Sequence, residues 1–110
     1  MKRGEIYDVD LGPAVGSEMG GVCPVVVISN DLANERPLLV AVVPAIAATA
    51  GEAKPGLVTA EQSGYPIDLV VLATQSRALD PSRFPEHPAG FISAERVAKI
   101  GFALRIYLDL

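Results

Sequence analysis

The chain has 110 residues, half of them hydrophobic and 20% charged, with a formal net charge of −4. That length and apolar content suit one compact domain spanning residues 1–110, and the modest charge with no polar repeat excludes disorder. A single cysteine, Cys23, and a single histidine, His87, exclude an internal disulfide and leave too few ligands for structural zinc, so no metal or other cofactor is expected.

Glu5 to Leu11 alternates polar and apolar residues and predicts a half-buried first strand. Gly12 to Gly21 contains Gly12, Pro13, Gly16, Ser17, Gly20 and Gly21, and predicts a loop of functional length. Val22 to Ser29 is a β-branched run that reads as a central strand, with Pro24 early enough for its missing N–H to be tolerated. Asn30 and Asp31 cap a short turn or helix through Asn34, and Arg36-Pro37 imposes an extended entry into a third strand, Leu38 to Val43, ending near Pro44. Ala45 to Gly56 is small and turn-rich, and a short strand at Leu57 to Ala60 precedes a Gly64-Tyr65-Pro66 turn.

Asp68 to Ala73 reads as a further strand continued by Thr74 to Leu79, after which Asp80-Pro81-Ser82 starts one helical turn and a short strand falls around Phe91. Ser93 opens a helix with Glu95 in its first turn, and Val97, Ile100, Leu104 and Leu108 form a stripe that packs on the sheet. Gly101 inside it costs about 1 kcal/mol relative to Ala, which implies a close contact there. Short strands, frequent turns and a terminal helix predict a mainly β fold with a C-terminal helix, a small and strongly bent β-barrel.

The longest apolar stretch, Leu38 to Ala50, is interrupted by Pro44 and falls short of the roughly 20 residues of a membrane span, and no apolar core follows Met1-Lys2-Arg3, so a cytoplasmic protein with no membrane contact is expected. From Gly4 to Glu35 there are six acids and no Lys or Arg, a local net of −6 that repels nucleic acid.

In order along the chain come an Arg-Gly-Glu start, an Asp-Leu-Gly-Pro turn, a Gly-Ser-Glu loop, Pro-Val-Val-Val-Ile-Ser-Asn-Asp, a Val-Val-Pro, then Gln75, Arg77, Leu79 and Asp80, and the amphipathic terminal helix. This series, covering essentially the whole chain, resembles the MazF/PemK/Kid ribonuclease toxins. The resemblance implies an SH3-like barrel that forms a two-fold homodimer, cuts single-stranded RNA without a metal, and is neutralised by an antitoxin peptide lying in the RNA groove.

Such cleavage uses the 2′-hydroxyl as nucleophile, so the enzyme must remove its proton, protonate the leaving 5′-oxygen and stabilise a phosphorane dianion. By resemblance, the Arg expected before the Pro of the second strand is Cys23, the hydroxyl expected two residues beyond the Pro of the third strand is Ile46, and the carboxylate expected before Gln75 is Thr74. Leu72 stands where some members have Arg, Asp8 replaces an aromatic residue that would stack on bases, and Met19 replaces a Gln. Thr49 could replace the hydroxyl only if the loop shifted by an odd number of residues, which reverses side-chain direction.

Ser17, Glu18, Gln75 and Arg77 remain as candidates for contacting a substrate or partner. Cys23 lacks a neighbouring base and reads as a small core residue rather than a nucleophile. Glu18 reads as structural or partner-binding, Arg77 equally as a phosphate contact or a local pair for Asp80, and His87 as a solvated turn residue. The sequence therefore favours a catalytically impaired toxin-family protein that keeps dimerisation and antitoxin-type binding. The alternatives are an active endoribonuclease in which Glu18, Thr49 or Arg77 takes over the missing roles, and, through the related CcdB toxins, a toxin with a target such as gyrase.

Overall fold

A computed structural model describes residues 1–49 and 56–110. It contains strands β1 (Glu5–Asp10), β2 (Val22–Val27), β3 (Val40–Ala47), β4 (Leu57–Val58), β5 (Leu69–Val71), β6 (Arg77–Leu79) and β7 (Gly90–Phe91), a short helix α1 (Ala60–Ser63) and the terminal helix α2 (Ala94–Leu108). The sheet runs β4-β5-β3-β2-β1-β7, and β6 joins it by pairing with β3. Every pairing is antiparallel. The architecture is the expected mainly β one, a curled half-barrel sheet with a C-terminal helix.

Alternation along the strands splits the core in two. Ile6, Val26, Val43 and Ala45 turn to one face and pack with Ile92, Val97 and Ile100, which joins α2 to the sheet. Tyr7, Val9, Cys23, Val25, Val27, Val40, Val42 and Leu79 turn to the other, closed by the partly buried Met19 and Phe84. Phe84 stands edge-on to Tyr7, ring centres 5.4 Å apart and planes 88° apart. The connection after β2 is fixed by polar bonds: Ser29 Oγ donates to Asn34 Oδ1 (2.6 Å), and Asn34 Nδ2 donates to the Ser29 carbonyl (2.9 Å). Ala33 N–H donates to Asn30 Oδ1 at 2.8 Å, closing the turn, whereas Asp31 does not cap as expected but accepts from Arg3 N–H at 2.7 Å.

Pro44 does not end β3. The strand passes through it to Ala47, and what breaks instead is the neighbouring strand. Pro44's carbonyl accepts from Leu72 N–H at 3.0 Å, so the position of its absent N–H faces the same edge. There β5 has ended, and the chain makes a single 3-10 turn, Ala73–Gln75, before β6 resumes pairing with Val40–Val42. The expected continuous strand from Asp68 to Leu79 is thus two strands with a jog between them, and Ala45–Ala47, expected in a turn-rich stretch, is strand. The rest of that stretch, residues 50–55, lies outside the described residues.

Three further expectations are corrected. Leu57–Ala60 is strand only to Val58, because Thr59 caps α1 through a reciprocal pair of bonds with Gln62. The α2 stripe is buried at Val97 and Ile100 and partly at Leu104, but Leu108 is 53% exposed, since the sheet ends before the helix does. Among the described residues a Cβ on Gly101 would meet only Arg3 Nη2, at 3.9 Å, so no close approach by them accounts for that glycine. Gly4 is different: its φ is +96° and a Cβ would sit 2.7 Å from the Ile92 carbonyl, which lets β1 start against α2's entry. Among the described residues no helix is long and apolar enough to cross a membrane.

Candidate functional site

The register relates two of the positions singled out by resemblance, Cys23 and Ile46, by side-chain direction. Val25 pairs with Pro44, Val9 with Cys23, and Ile46 with Val70, so carrying the β2–β3 register two residues further sets Cys23 and Ile46 on one face. Cys23 is 8% exposed, within the second core cluster, whereas Ile46 is 42% exposed at the end of β3. Thr74 is exposed on the 3-10 turn, and Thr49 is exposed just beyond β3. None of the three positions places a charged side chain there.

Around the Cys23 thiol, burial pushes its pKa up, the Arg77 guanidinium pulls it down, and the Asp8 carboxylate pushes it up again. The thiol therefore stands protonated, flanked by one cation and one anion. Arg77, on exposed β6 opposite Val42, is the nearby positive charge that the sequence left open between two roles. Asp80 does not engage it: that carboxylate accepts the N–H (2.9 Å) and hydroxyl of Ser82 and is held below its ordinary pKa by these bonds, with Arg83 the cation that adds to the effect.

Tyr65 falls in the expected turn, yet its phenol donates to Asp8 Oδ1 at 2.6 Å. Burial and that carboxylate push its pKa to about 12. Nothing in the local sequence couples two residues so far apart; only the return of the chain from α1 past β1 does. Arg83 Nη1 similarly reaches the Asp10 carbonyl at 3.2 Å. Asp8 is exposed, so an acid bonded to a phenol occupies the place of an expected base-stacking ring.

Glu18 spends its carboxylate inside its own loop, where Oε1 accepts from Val15 N–H at 3.1 Å while Glu18 N–H donates to the Val15 carbonyl at 3.1 Å. Ser17 is exposed and offers its carbonyl to Gln75 Nε2 at 3.0 Å, and Gln75 Oε1 accepts from Met19 N–H at 3.1 Å. His87 is exposed. Among the described residues, no three His, Cys, Asp or Glu side chains converge on a common point. The chemistry on offer is a neutral thiol, a guanidinium, an acid–phenol pair and a tethered loop.

The sequence profile of the PemK-like, MazF-like toxins of type II toxin-antitoxin systems matches residues 2–108. The chain belongs to this family. It is 40% identical to "Endoribonuclease EndoA" of Bacillus subtilis (strain 168) over 113 aligned positions, covering 100% of this chain and 96% of the relative. It is 39% identical to "Endoribonuclease MazF" of Staphylococcus saprophyticus, covering 100% of this chain and 92% of that one. The fold is similar to crystal-form I of MazF from Deinococcus radiodurans, at 26% identity and a TM-score of 0.76, covering 100% of this chain and 97% of the other. A MazE–MazF crystal structure from the same organism gives a TM-score of 0.71 over 100% and 96% of the two chains.

Proposed function

We propose that this protein is a single-domain, cytoplasmic toxin-family protein of a toxin-antitoxin system that keeps self-association and antitoxin binding while its RNA cleavage is impaired. The observation that carries the reading is position 23. A phosphorane dianion needs a fixed cation or strong donors, and the side chain there is a buried thiol whose surroundings keep it protonated. Ile46 and Ala47 at the end of β3 and Thr74 on the turn add neither the usual carboxylate nor a hydroxyl at the strand end. The face that holds Ser17, Gln75 and Arg77 remains polar enough for a peptide partner, and Glu18 acts there as a loop-ordering group. Membership of a toxin-antitoxin family and a relative solved as MazE–MazF support an antitoxin as that partner.

A second reading has one specific observation in its favour. Arg77 acts electrostatically on the Cys23 thiol, so its guanidinium can supply the missing positive charge, and two relatives near 40% identity are named endoribonucleases. A cleavage assay separates the two. Purified protein incubated with a long single-stranded RNA in chelator is expected to leave it intact, and the Cys23→Arg, Ile46→Thr double variant is expected to gain cleavage. Metal-independent cleavage by the unaltered protein, lost in Arg77→Ala and kept in Cys23→Ala, would overturn the first reading in favour of the second.

A further inference from the structure

The side-chain amide of Gln75 has both ends engaged with one loop, accepting from Met19 N–H and donating to the Ser17 carbonyl across 56 and 58 residues of sequence. A backbone N–H and a backbone C=O need one acceptor and one donor, which a neutral amide supplies and a carboxylate or amine does not. The rest of the loop is closed upon itself. Gly21 N–H donates to the Gly12 carbonyl at 2.8 Å, Leu11 N–H to the Gly21 carbonyl at 2.9 Å, and Glu18 bonds Val15 through both its side chain and its N–H. A Cβ on Gly20 would lie 2.6 Å from Ala14 N, so the loop's two arms touch. Among the described residues, the side-chain hydrogen bonds that reach residues 13–20 from outside the loop both come from Gln75.

We infer that Gln75 is a positioning residue rather than a partner contact: its amide seats the loop on the sheet and thereby sets access to the face that carries Cys23. Met19 is the mechanical link. It lies half-buried against the cluster containing Tyr7, Val9 and Cys23, and its backbone N–H is the one Gln75 holds. The placement of Gln75 follows from Pro44, whose absent N–H faces the gap where β5 gives way to the 3-10 turn. The inference concerns the face proposed above for partner binding, and rests on that reading only for what the access serves.

The latch can be read without RNA or antitoxin, so its failure and the failure of the functional reading are distinguishable. Gln75→Met keeps the volume and removes both bonds; Gln75→Glu keeps the acceptor for Met19 and loses the donor to Ser17. Amide exchange at Met19 is expected to be about tenfold faster in Gln75→Met, the ratio that loss of ordinary hydrogen bonds sustains through local opening, and less accelerated in Gln75→Glu. Cys23, the chain's sole thiol, is expected to react faster with a disulfide reagent in both variants, with exchange at Val26 in the sheet unchanged. Unchanged Met19 exchange in Gln75→Met overturns the proposal, as does a rise shared by Val26, which would mean global unfolding. Faster Met19 exchange with unaltered thiol reactivity overturns the role in access. Should Gln75→Met fail to fold, the thiol rate of Gln75→Glu decides, faster supporting the latch and equal overturning it.

Discussion

Cys23 holds its place by packing and not by charge. Its partner across the strand is Val9, its neighbours are apolar, and the two ions within electrostatic reach pull its pKa in opposite directions. Two tyrosines respond to the same physics more strongly. Tyr7, bonded to Glu5 Oε1 at 3.1 Å, and Tyr65, bonded to Asp8, both have pKa values raised from 10.0 to about 12, first by burial and then by their carboxylates. Their unfolded-state phenols ionise near 10.0, so stability is full below that pH and falls as pH rises toward 12, because the unfolded chain releases these protons first. Urea midpoints are expected to drop across that window. Phenolate absorbance is expected to show two late-titrating groups, with Tyr65→Phe removing one.

At the level of elements, α2 is the part whose attachment is easiest to test. Ser93 Oγ accepts from Arg96 N–H at 3.3 Å, and Arg96 Nη1 donates to the Leu57 carbonyl at 3.0 Å, so the helix is capped and bonded to β4 before its apolar face engages. Ile100 is 6% exposed in the first core cluster. Ile100→Ala is expected to cost about 2–5 kcal/mol by urea unfolding, the range for removing a buried aliphatic side chain. Thr59→Ala, which removes the α1 cap, is expected to cost about 1 kcal/mol. A larger loss for Thr59→Ala than for Ile100→Ala would contradict this ranking. Capping secures one turn, whereas Ile100 joins a helix to a sheet.

At the scale of the whole molecule, the described residues leave the outer half of α2 uncovered. Phe102 and Ile106 are about two-thirds exposed, at 66% and 67%. They border an open cleft of about 630 Å³ lined with Val70, Val71, Leu72 and Ile100. A contiguous apolar surface of this kind suits an interaction site, and the self-association proposed above can be tested there. The Phe102→Glu, Ile106→Glu double variant is expected to run as a monomer in light scattering while keeping its circular dichroism. A dimer that survives both changes would place self-association elsewhere. The charge balance of −4 is expected to keep RNA affinity low at physiological salt, since few Lys and Arg are available to displace counterions.

The sequence by itself determined most of the strands, the capped terminal helix, the mainly β class and the family, because alternation, β-branched runs and caps are local signals. It also marked Cys23, Ile46 and Thr74 as departures from the resembled pattern, since each is visible one position at a time. It misplaced the effect of Pro44, because a missing N–H acts on whichever neighbour faces it, and that neighbour lies 28 residues away at Leu72. Only the tertiary structure decided that Gln75 fastens a loop, that Glu18 is spent within it, that Arg77 stands by Cys23 and not by Asp80, and that Tyr65 bonds Asp8. Apart from Glu18, each of these depends on strand pairing that brings distant segments together. Pairing of that kind leaves little trace in local composition, so the scaffold was legible where the polar connections of the site were not.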